Sequence, residues 1–216
     1  RIGFKSNYAM LVGHHTVRRI AMEGSDALFP TREQTVAMQE MIQQGLDEGA
    51  IGITVGYAQR HETFEEIVQV TRPAAEAGTI YASHIRSEAE GLIQAVGEAI
   101  EVAHETGIAV QISHLKTMGP GNWDKLDRVL EMIHEADGSG LPVNADRYPY
   151  IAYSTGLSIF LPLWSLQGNP DDLMARLNDP AAAKKILDHV GNRGEMIGGW
   201  DRVVISSCFT DANKRW

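Results

Sequence analysis

A chain of 216 residues can bury a sizeable core in one large domain or two small ones, and no linker-like stretch divides it. Its 28 Asp and Glu against 19 Lys and Arg work against a nucleic-acid partner, whose counterion-release affinity needs clustered cations. No apolar run approaches the ~20 residues of a membrane span, the opening RIGFKSNYAM lacks a signal peptide's apolar core, and the single cysteine, Cys208, supports neither a disulfide framework nor a Cys-rich zinc module. The expectation is a soluble, cytoplasmic protein.

In chain order, MLVGHH reads as an early strand ending at His14, with His15 turned the opposite way. TVAMQEMIQQGLDEGA then carries Val36, Met38, Met41, Ile42 and Leu46 at helical spacing, and IGITV follows as a short buried strand. ETFEEIVQVTRPAAEAG, SEAEGLIQAVGEAIEVAHETG and WDKLDRVLEMIHEADG read as helices, alternating with the strands TIYASH, AVQISH and PVNADRYPY. Each helix stops at a glycine just before its strand, namely Gly49, Gly78, Gly107 and Gly138. A late strand is expected around RVVISS. The chain opens on Arg1 rather than methionine and closes on FTDANKRW directly after that strand, so a piece of a longer polypeptide is expected.

Strands apolar on both faces and separated by helices pair in parallel under helical cover. Two architectures fit: an open doubly wound sheet and a (β/α)8 barrel. The open sheet usually advertises a glycine-rich phosphate loop, and neither GxGxxG nor GxxxxGK[ST] occurs. A barrel is therefore favoured. It needs eight strands and typically ~250 residues, whereas about five repeating units are present, so the expectation is part of a barrel.

In such folds the carboxyl ends of the strands face the active site. His84 ends YASH and His114 ends VQISH, 30 positions later. Asp146 and Tyr148 close VNADRY, and His14 closes MLVGH. On neighbouring strands about 4.8 Å apart, the imidazoles of His84 and His114 can converge on one ion, and nitrogen ligands suit Zn²⁺. The competing reading is two satisfied polar residues at strand termini. His61, His104, His134 and His189 fall in or beside helical segments and read as solvated, and Cys208 reads as a small buried residue. Two residues beyond His114, Lys116 can reach a substrate carboxylate; Arg86 stands likewise beyond His84, with pairing to Glu88 an equal alternative. Tyr148 and Ser154 add hydrogen-bonding groups. A metal beside cations and hydroxyls fits hydrolysis of an anionic substrate with a carbonyl to polarise.

ASHIR, QISHLK and DRYPYIAYSTGL, with LVGHHTVRR and GAIGITVGYAQ, resemble the central region of the N-acyl-D-amino-acid deacylases, or D-aminoacylases, of the amidohydrolase superfamily. The resemblance runs from about residue 7 to residue 207. It implies a metal-dependent-hydrolase-type (β/α)8 TIM barrel, of which residues 1–216 form a single incomplete domain holding about strands 4 to 7 and flanking elements. It also implies hydrolysis of an N-acyl-D-amino acid to a carboxylate and a D-amino acid, with one or two zinc ions. On this resemblance His84 and His114 are zinc ligands, Lys116, Tyr148 and Ser154 hold the substrate's α-carboxylate, and Tyr57 polarises the scissile carbonyl. TVGY departs from the family's STGLxY pattern around that tyrosine. The family's HxH pair, the anionic residue completing its metal site and its late catalytic Asp have no counterpart here, and Asp146 is expected to fix its own loop. The chain alone is therefore expected not to turn over substrate. The alternatives are a non-catalytic truncated barrel that binds a carboxylate ligand or forms a homo-oligomer through open edges, and a cyclic-amide or dipeptide hydrolase of the same superfamily.

Overall fold

The structure, a computed structural model, describes residues 6–25, 27–57 and 62–207. They fall into two compact units, one built from Arg1–Thr117 with Asp124–Tyr148 and the other from Met118–Trp123 with Pro149–Trp216.

The first unit is a parallel sheet with a helical layer. Its strands are β1 (Val12–Gly13), β2 (Gly52–Val55), β3 (Ile80–Ser83), β4 (Ala109–Ile112) and β5 (Val143–Ala145). They pair in the order β1-β2-β3-β4-β5. The helices are α1 (His14–Ala21), α2 (Arg32–Asp47), α3 (Phe64–Glu76), α4 (Leu92–Thr106) and α5 (Leu126–Gly138). Every step along the sheet goes the same way, so right-handed crossovers place the helices on one face; a doubly wound sheet reverses direction and covers both. Each helix accordingly packs on the next, from α1 through α5. This is the singly wound arc of a (β/α) barrel, and it decides between the two architectures left open by the strand pattern.

Local chemistry explains the elements. Thr31 opens α2 with a reciprocal cap, accepting from the Gln34 backbone N–H at 3.3 Å while the Gln34 side chain accepts from the Thr31 N–H at 2.8 Å. Thr63 caps α3 one way, its hydroxyl accepting from the Glu66 N–H. Pro73 sits inside α3 and has no N–H for the Gln69 carbonyl. That carbonyl is taken up by Gln39 Nε2 of α2 at 2.7 Å, which pins the two helices together where the ladder is broken. Gly52 begins β2 at φ 152°, and a Cβ there would drive into the Ile80 carbonyl of β3. Ile53, Val55, Tyr81, Val110 and Ile112 of the sheet meet Met38, Ile42, Ile67, Val96 and Val129 of the helices in one continuous core.

Three expectations change. His14 does not end a strand: the chain turns at Gly13, and His14 is the buried first residue of α1. The amphipathic run HHTVRRIA, burying His14, Val17 and Arg18, overrides the strand reading of VGHH. Gly138 does not stop α5 but lies within it, and Gly140, at φ 90°, supplies the left-handed turn before β5. RVVISS forms no strand. Residues 203–207 follow a 3-10 turn at Trp200–Arg202, with Val204 84 % exposed; β-branched residues favour a strand only where a partner offers ladder bonds and packing.

The second unit holds α6 (Pro170–Asn178) and α7 (Pro180–Met196). Asn169 and Asp172 form a capping box with Pro170 at the first turn of α6, and Asp179 caps α7 ahead of Pro180. Phe160 meets the Trp200 ring edge-on at 5.0 Å.

Candidate metal centre at the strand ends

The sheet's hydrogen bonding continues past the formal strand ends and fixes the backbone of the next residues. His84 N–H donates to the Val55 carbonyl at 2.9 Å, Ser113 N–H to Ser83 at 2.9 Å, Asp146 N–H to Ile112 at 3.0 Å and Leu115 N–H to Asp146 at 2.9 Å. His114 then adopts φ 41°, a left-handed conformation uncommon for a residue with a Cβ. Its N–H donates to Asp146 Oδ1 at 2.7 Å, and Gln111 Nε2 donates to Asp146 Oδ2 at 2.8 Å. Asp146 thus holds the kink at His114, so its side chain fixes the end of the neighbouring strand β4 and not its own loop.

The two histidines converge. Their rings meet edge-on with centroids 4.7 Å apart, and His84 Nδ1 lies 2.9 Å from His114 Nε2. Glu88 joins them, with Oε1 2.9 Å from His114 Nδ1 and 3.9 Å from His84 Nδ1. Lys116 pairs with the same carboxylate, and its Nζ lies 3.0 Å from His114 Nδ1. The Lys116 ammonium is also 5.6 Å from the centre of the half-buried Tyr148 ring, and the Arg147 guanidinium is 5.3 Å from it. The His84 and His114 side chains are 47 % and 33 % exposed and those of Glu88 and Lys116 10 %, so the imidazoles open to solvent above a nearly closed ion pair.

This donor set fits a zinc ion. Two Zn–N bonds at a tetrahedral angle need nitrogens roughly 3.3 Å apart, so the 2.9 Å pair would open by only a few tenths of an ångström. Glu88 meets His114 through the ring nitrogen not turned toward His84, the side from which carboxylates commonly steady metal-binding imidazoles. A second group, Glu101, His104 and Glu105, is exposed along α4.

Tyr57 occupies separate surroundings. Like His114 it follows a strand end in the left-handed region, at φ 45°. It is buried, its hydroxyl donating to Glu98 Oε1 at 3.2 Å and lying 3.3 Å from the Tyr81 hydroxyl. Burial, with Tyr81 and the Glu98 charge beside it, pushes the phenol far above its ordinary pKa, so Tyr57 remains a neutral donor. Arg86 does not pair with Glu88. It forks onto Glu98 at 2.9 and 2.7 Å, donates to the Glu62 carbonyl at 2.9 Å and stacks 4.1 Å over the Tyr57 ring. The hydrogen bonds to Glu98 outweigh desolvation and raise the guanidinium's pKa.

The structure therefore brings His84, His114 and Lys116 together, with Tyr148 beside the lysine. Ser154 belongs to the second unit, exposed in an irregular stretch. His104 and His134 are exposed as expected, and His189 is half-buried. His61 and Cys208 lie outside the described residues. Glu88 and Glu98 were not anticipated as site residues. Glu88 carries one local signal, four positions beyond His84; Glu98 carries none, because its partners, Arg86 and Tyr57, come from the turn after β3 and the segment after β2.

Imidazoles at successive strand ends of a singly wound parallel arc define part of a metal-dependent hydrolase barrel. No family model matches the chain. It is 37 % identical over 154 residues to a D-aminoacylase of Alcaligenes xylosoxydans xylosoxydans, covering 70 % of this chain and 31 % of the relative. Among solved structures it is similar to an N-acyl-D-glutamate deacylase from Bordetella bronchiseptica, complexed with zinc and a phosphonate inhibitor, at TM-score 0.64 and 38 % identity over 67 % of this chain and 31 % of that one. A D-aminoacylase studied for its binuclear metal centre superposes at TM-score 0.62 and 36 % identity, with 67 % and 31 % covered. The chain belongs to the N-acyl-D-amino-acid deacylase family of the amidohydrolases, and it spans about a third of the length of these relatives.

Proposed function

We propose that the chain is part of a zinc-dependent hydrolase that cleaves the carbon–nitrogen bond of an N-acyl-D-amino acid, releasing a carboxylate and a D-amino acid. The observation that carries this reading is the convergence of His84 Nδ1 and His114 Nε2, 2.9 Å apart at adjacent strand ends. His84 and His114 hold the ion, which when bound supplies a Lewis acid for an amide carbonyl and for water. The zinc and phosphonate in the related N-acyl-D-glutamate deacylase support that chemistry, and the binuclear centre of the related D-aminoacylase extends it to one or two ions.

Lys116, Tyr148 and Ser154 receive the substrate's α-carboxylate. Lys116 is suited to it as a nearly closed ammonium already holding a carboxylate, that of Glu88. Tyr57 is the donor to the scissile carbonyl, a part that requires its neutral hydroxyl to exchange Glu98 for substrate. Both units serve one catalytic domain. No helix among the described residues is long and apolar enough to cross a membrane, and an acidic chain with a single cysteine suits a reducing cytoplasm. Among the described residues β1 and β5 pair on one side only, so association through these edges is the assembly to look for.

The test is zinc content after dialysis of the 216-residue chain against that of its His84→Ala, His114→Ala variant. Zinc retained by the first and lost by the second is expected. Equal retention in both would remove these histidines from the metal site. Binding of N-acetyl-D-glutamate, read by calorimetry, should disappear in Lys116→Met; unchanged binding would reject the carboxylate assignment.

A further inference from the structure

Arg86 and Glu98, beside the strand ends, have no part in the proposed reaction so far. Just past the bond from the His84 N–H to the Val55 carbonyl, at 2.9 Å, Tyr57 follows β2 and Arg86 follows β3. Tyr57 holds φ 45°, a conformation that a residue with a Cβ keeps only where its surroundings enforce it. Its side chain is gripped at both ends. The Arg86 guanidinium lies 4.1 Å over the centre of the ring, a cation–π contact. Glu98, on the second turn of α4, accepts from the hydroxyl through Oε1 at 3.2 Å. The two gripping groups are also bound to each other. Arg86 Nε donates to Glu98 Oε2 at 2.9 Å and Nη2 to Oε1 at 2.7 Å, while Nη2 donates again to the Glu62 carbonyl at 2.9 Å. The guanidinium is thereby fixed in place and in plane.

We infer that Arg86 and Glu98 are positioning residues for Tyr57, Arg86 holding the ring and Glu98 holding the hydroxyl until a substrate carbonyl replaces it as acceptor. This role rests on the assignment of Tyr57 to the scissile carbonyl. Two features of the geometry suit the pair to such an exchange. A phenolic hydrogen turns about its C–O bond, so the donor can leave Glu98 while the ring stays under the guanidinium. Glu98 is also not orphaned when it does. A buried carboxylate stripped of its partner costs more than its hydrogen bond contributes, but here both oxygens keep a donor from Arg86. At Oε1 the two donors are unequal, 2.7 Å from Arg86 against 3.2 Å from Tyr57, so the tyrosine's bond is the one that gives way. Arg86 thus has a task different from receiving a substrate carboxylate, because its guanidinium is already committed to Glu98, to the Glu62 carbonyl and to the ring.

The experiment labels the tyrosines of the 216-residue chain with ¹³C at Cζ, assigns Tyr57 by its loss in Tyr57→Phe, and compares wild type with Arg86→Lys and Glu98→Gln. Arg86→Lys keeps the charge but not the planar fork. The Tyr57 resonance should move in both variants while that of the exposed Tyr8 stays in place; a Tyr57 resonance unmoved in both would overturn the inference. Affinity for N-acetyl-D-glutamate, read by calorimetry, supplies the second arm. Tyr57→Phe should weaken it about 10-fold, the worth of one hydrogen bond. Arg86→Lys should weaken it by a similar factor and the double variant no further, because Arg86 acts through Tyr57. Losses that multiply in the double variant, or Arg86→Lys binding as tightly as wild type, would equally overturn it. If Arg86→Lys does not fold, Glu98→Gln takes its place in the cycle. The two readings fail separately. Tyr57→Phe binding like wild type, or a wild type that does not bind, defeats Tyr57 as the carbonyl's donor, while the Tyr57 resonance in ligand-free protein still decides whether Arg86 and Glu98 position it.

Discussion

The molecule contains the same trio of groups twice, an imidazole, a carboxylate and a cation, in two settings. In the first, Glu66 Oε1 takes His14 Nε2 and Arg18 Nε, each at 2.8 Å, and Arg18 continues to the Leu28 carbonyl at 2.7 Å. All three side chains are buried, with 5 % exposure or less. In the second, Glu88 takes His114 and Lys116, but the imidazole opens to solvent and its other nitrogen meets a second histidine. Residue type therefore does not separate a fold-holding cluster from a chemical one. What separates them is whether a ring nitrogen is left facing another imidazole at an accessible place.

The comparison predicts unequal costs. Glu66→Ala leaves a guanidinium and an imidazole uncompensated in the interior, and should cost about 3–5 kcal/mol of stability in urea unfolding. Glu88→Ala, beside half-exposed histidines, should cost markedly less. Equal losses would mean that the strand-end cluster is also a structural one.

Acid should distinguish them as well. Burial opposes the Glu66 charge, but the hydrogen bonds from His14 and Arg18 outweigh it and hold the carboxyl below its ordinary value. A group whose folded pKa is depressed contributes stability above its unfolded pKa, about 4.3 for Glu, and that contribution disappears as pH falls through the folded value. Between about pH 5 and pH 3 the wild type should therefore lose more stability than Glu66→Gln. Parallel pH profiles would show that Glu66 is not linked to folding in this way.

How far such clusters can be read from sequence depends on how local their causes are. The parallel arc was legible because the units repeat two local signals, an amphipathic helix and a short apolar strand, with a glycine between them at Gly49, Gly78 and Gly107. The convergence of His84 and His114 was legible because strand-end position alone brings both to the same end of the sheet. His14 was misread because VGHH continues a strand pattern while the helix that claims it is defined by residues three and four further on. RVVISS shows the opposite failure, high strand propensity without a partner to pair with. Glu98 could not be found at all, since Tyr57 and Arg86 meet it only after the ends of β2 and β3 have packed against α4.

That buried network should respond next in size. Glu98→Gln removes the charge that holds the Arg86 fork and accepts from Tyr57, and should cost about 1.5–3 kcal/mol. Arg86 is two residues from His84, so the loop carrying His84 should loosen too, seen as weaker zinc retention and faster amide exchange at residues 84–88. Loss of stability with zinc retention unchanged would confine Glu98 to the core.

The smallest effect tests the strand-end kink itself. His114 holds φ 41°, a conformation that asparagine adopts more readily than most residues with a Cβ. His114→Asn should therefore keep the bend and the backbone bond to Asp146, leave the sheet intact, and shift stability by no more than about 0.5 kcal/mol in either direction. It should nevertheless lose zinc, because the amide offers no imidazole nitrogen to face His84. A stable, zinc-free His114→Asn chain would show that the uncommon backbone at this position serves to aim the ligand. A large destabilisation would show instead that the ring, held by Glu88 and Lys116, is part of what keeps the ends of β4 and β5 together, and would narrow the contrast with His14.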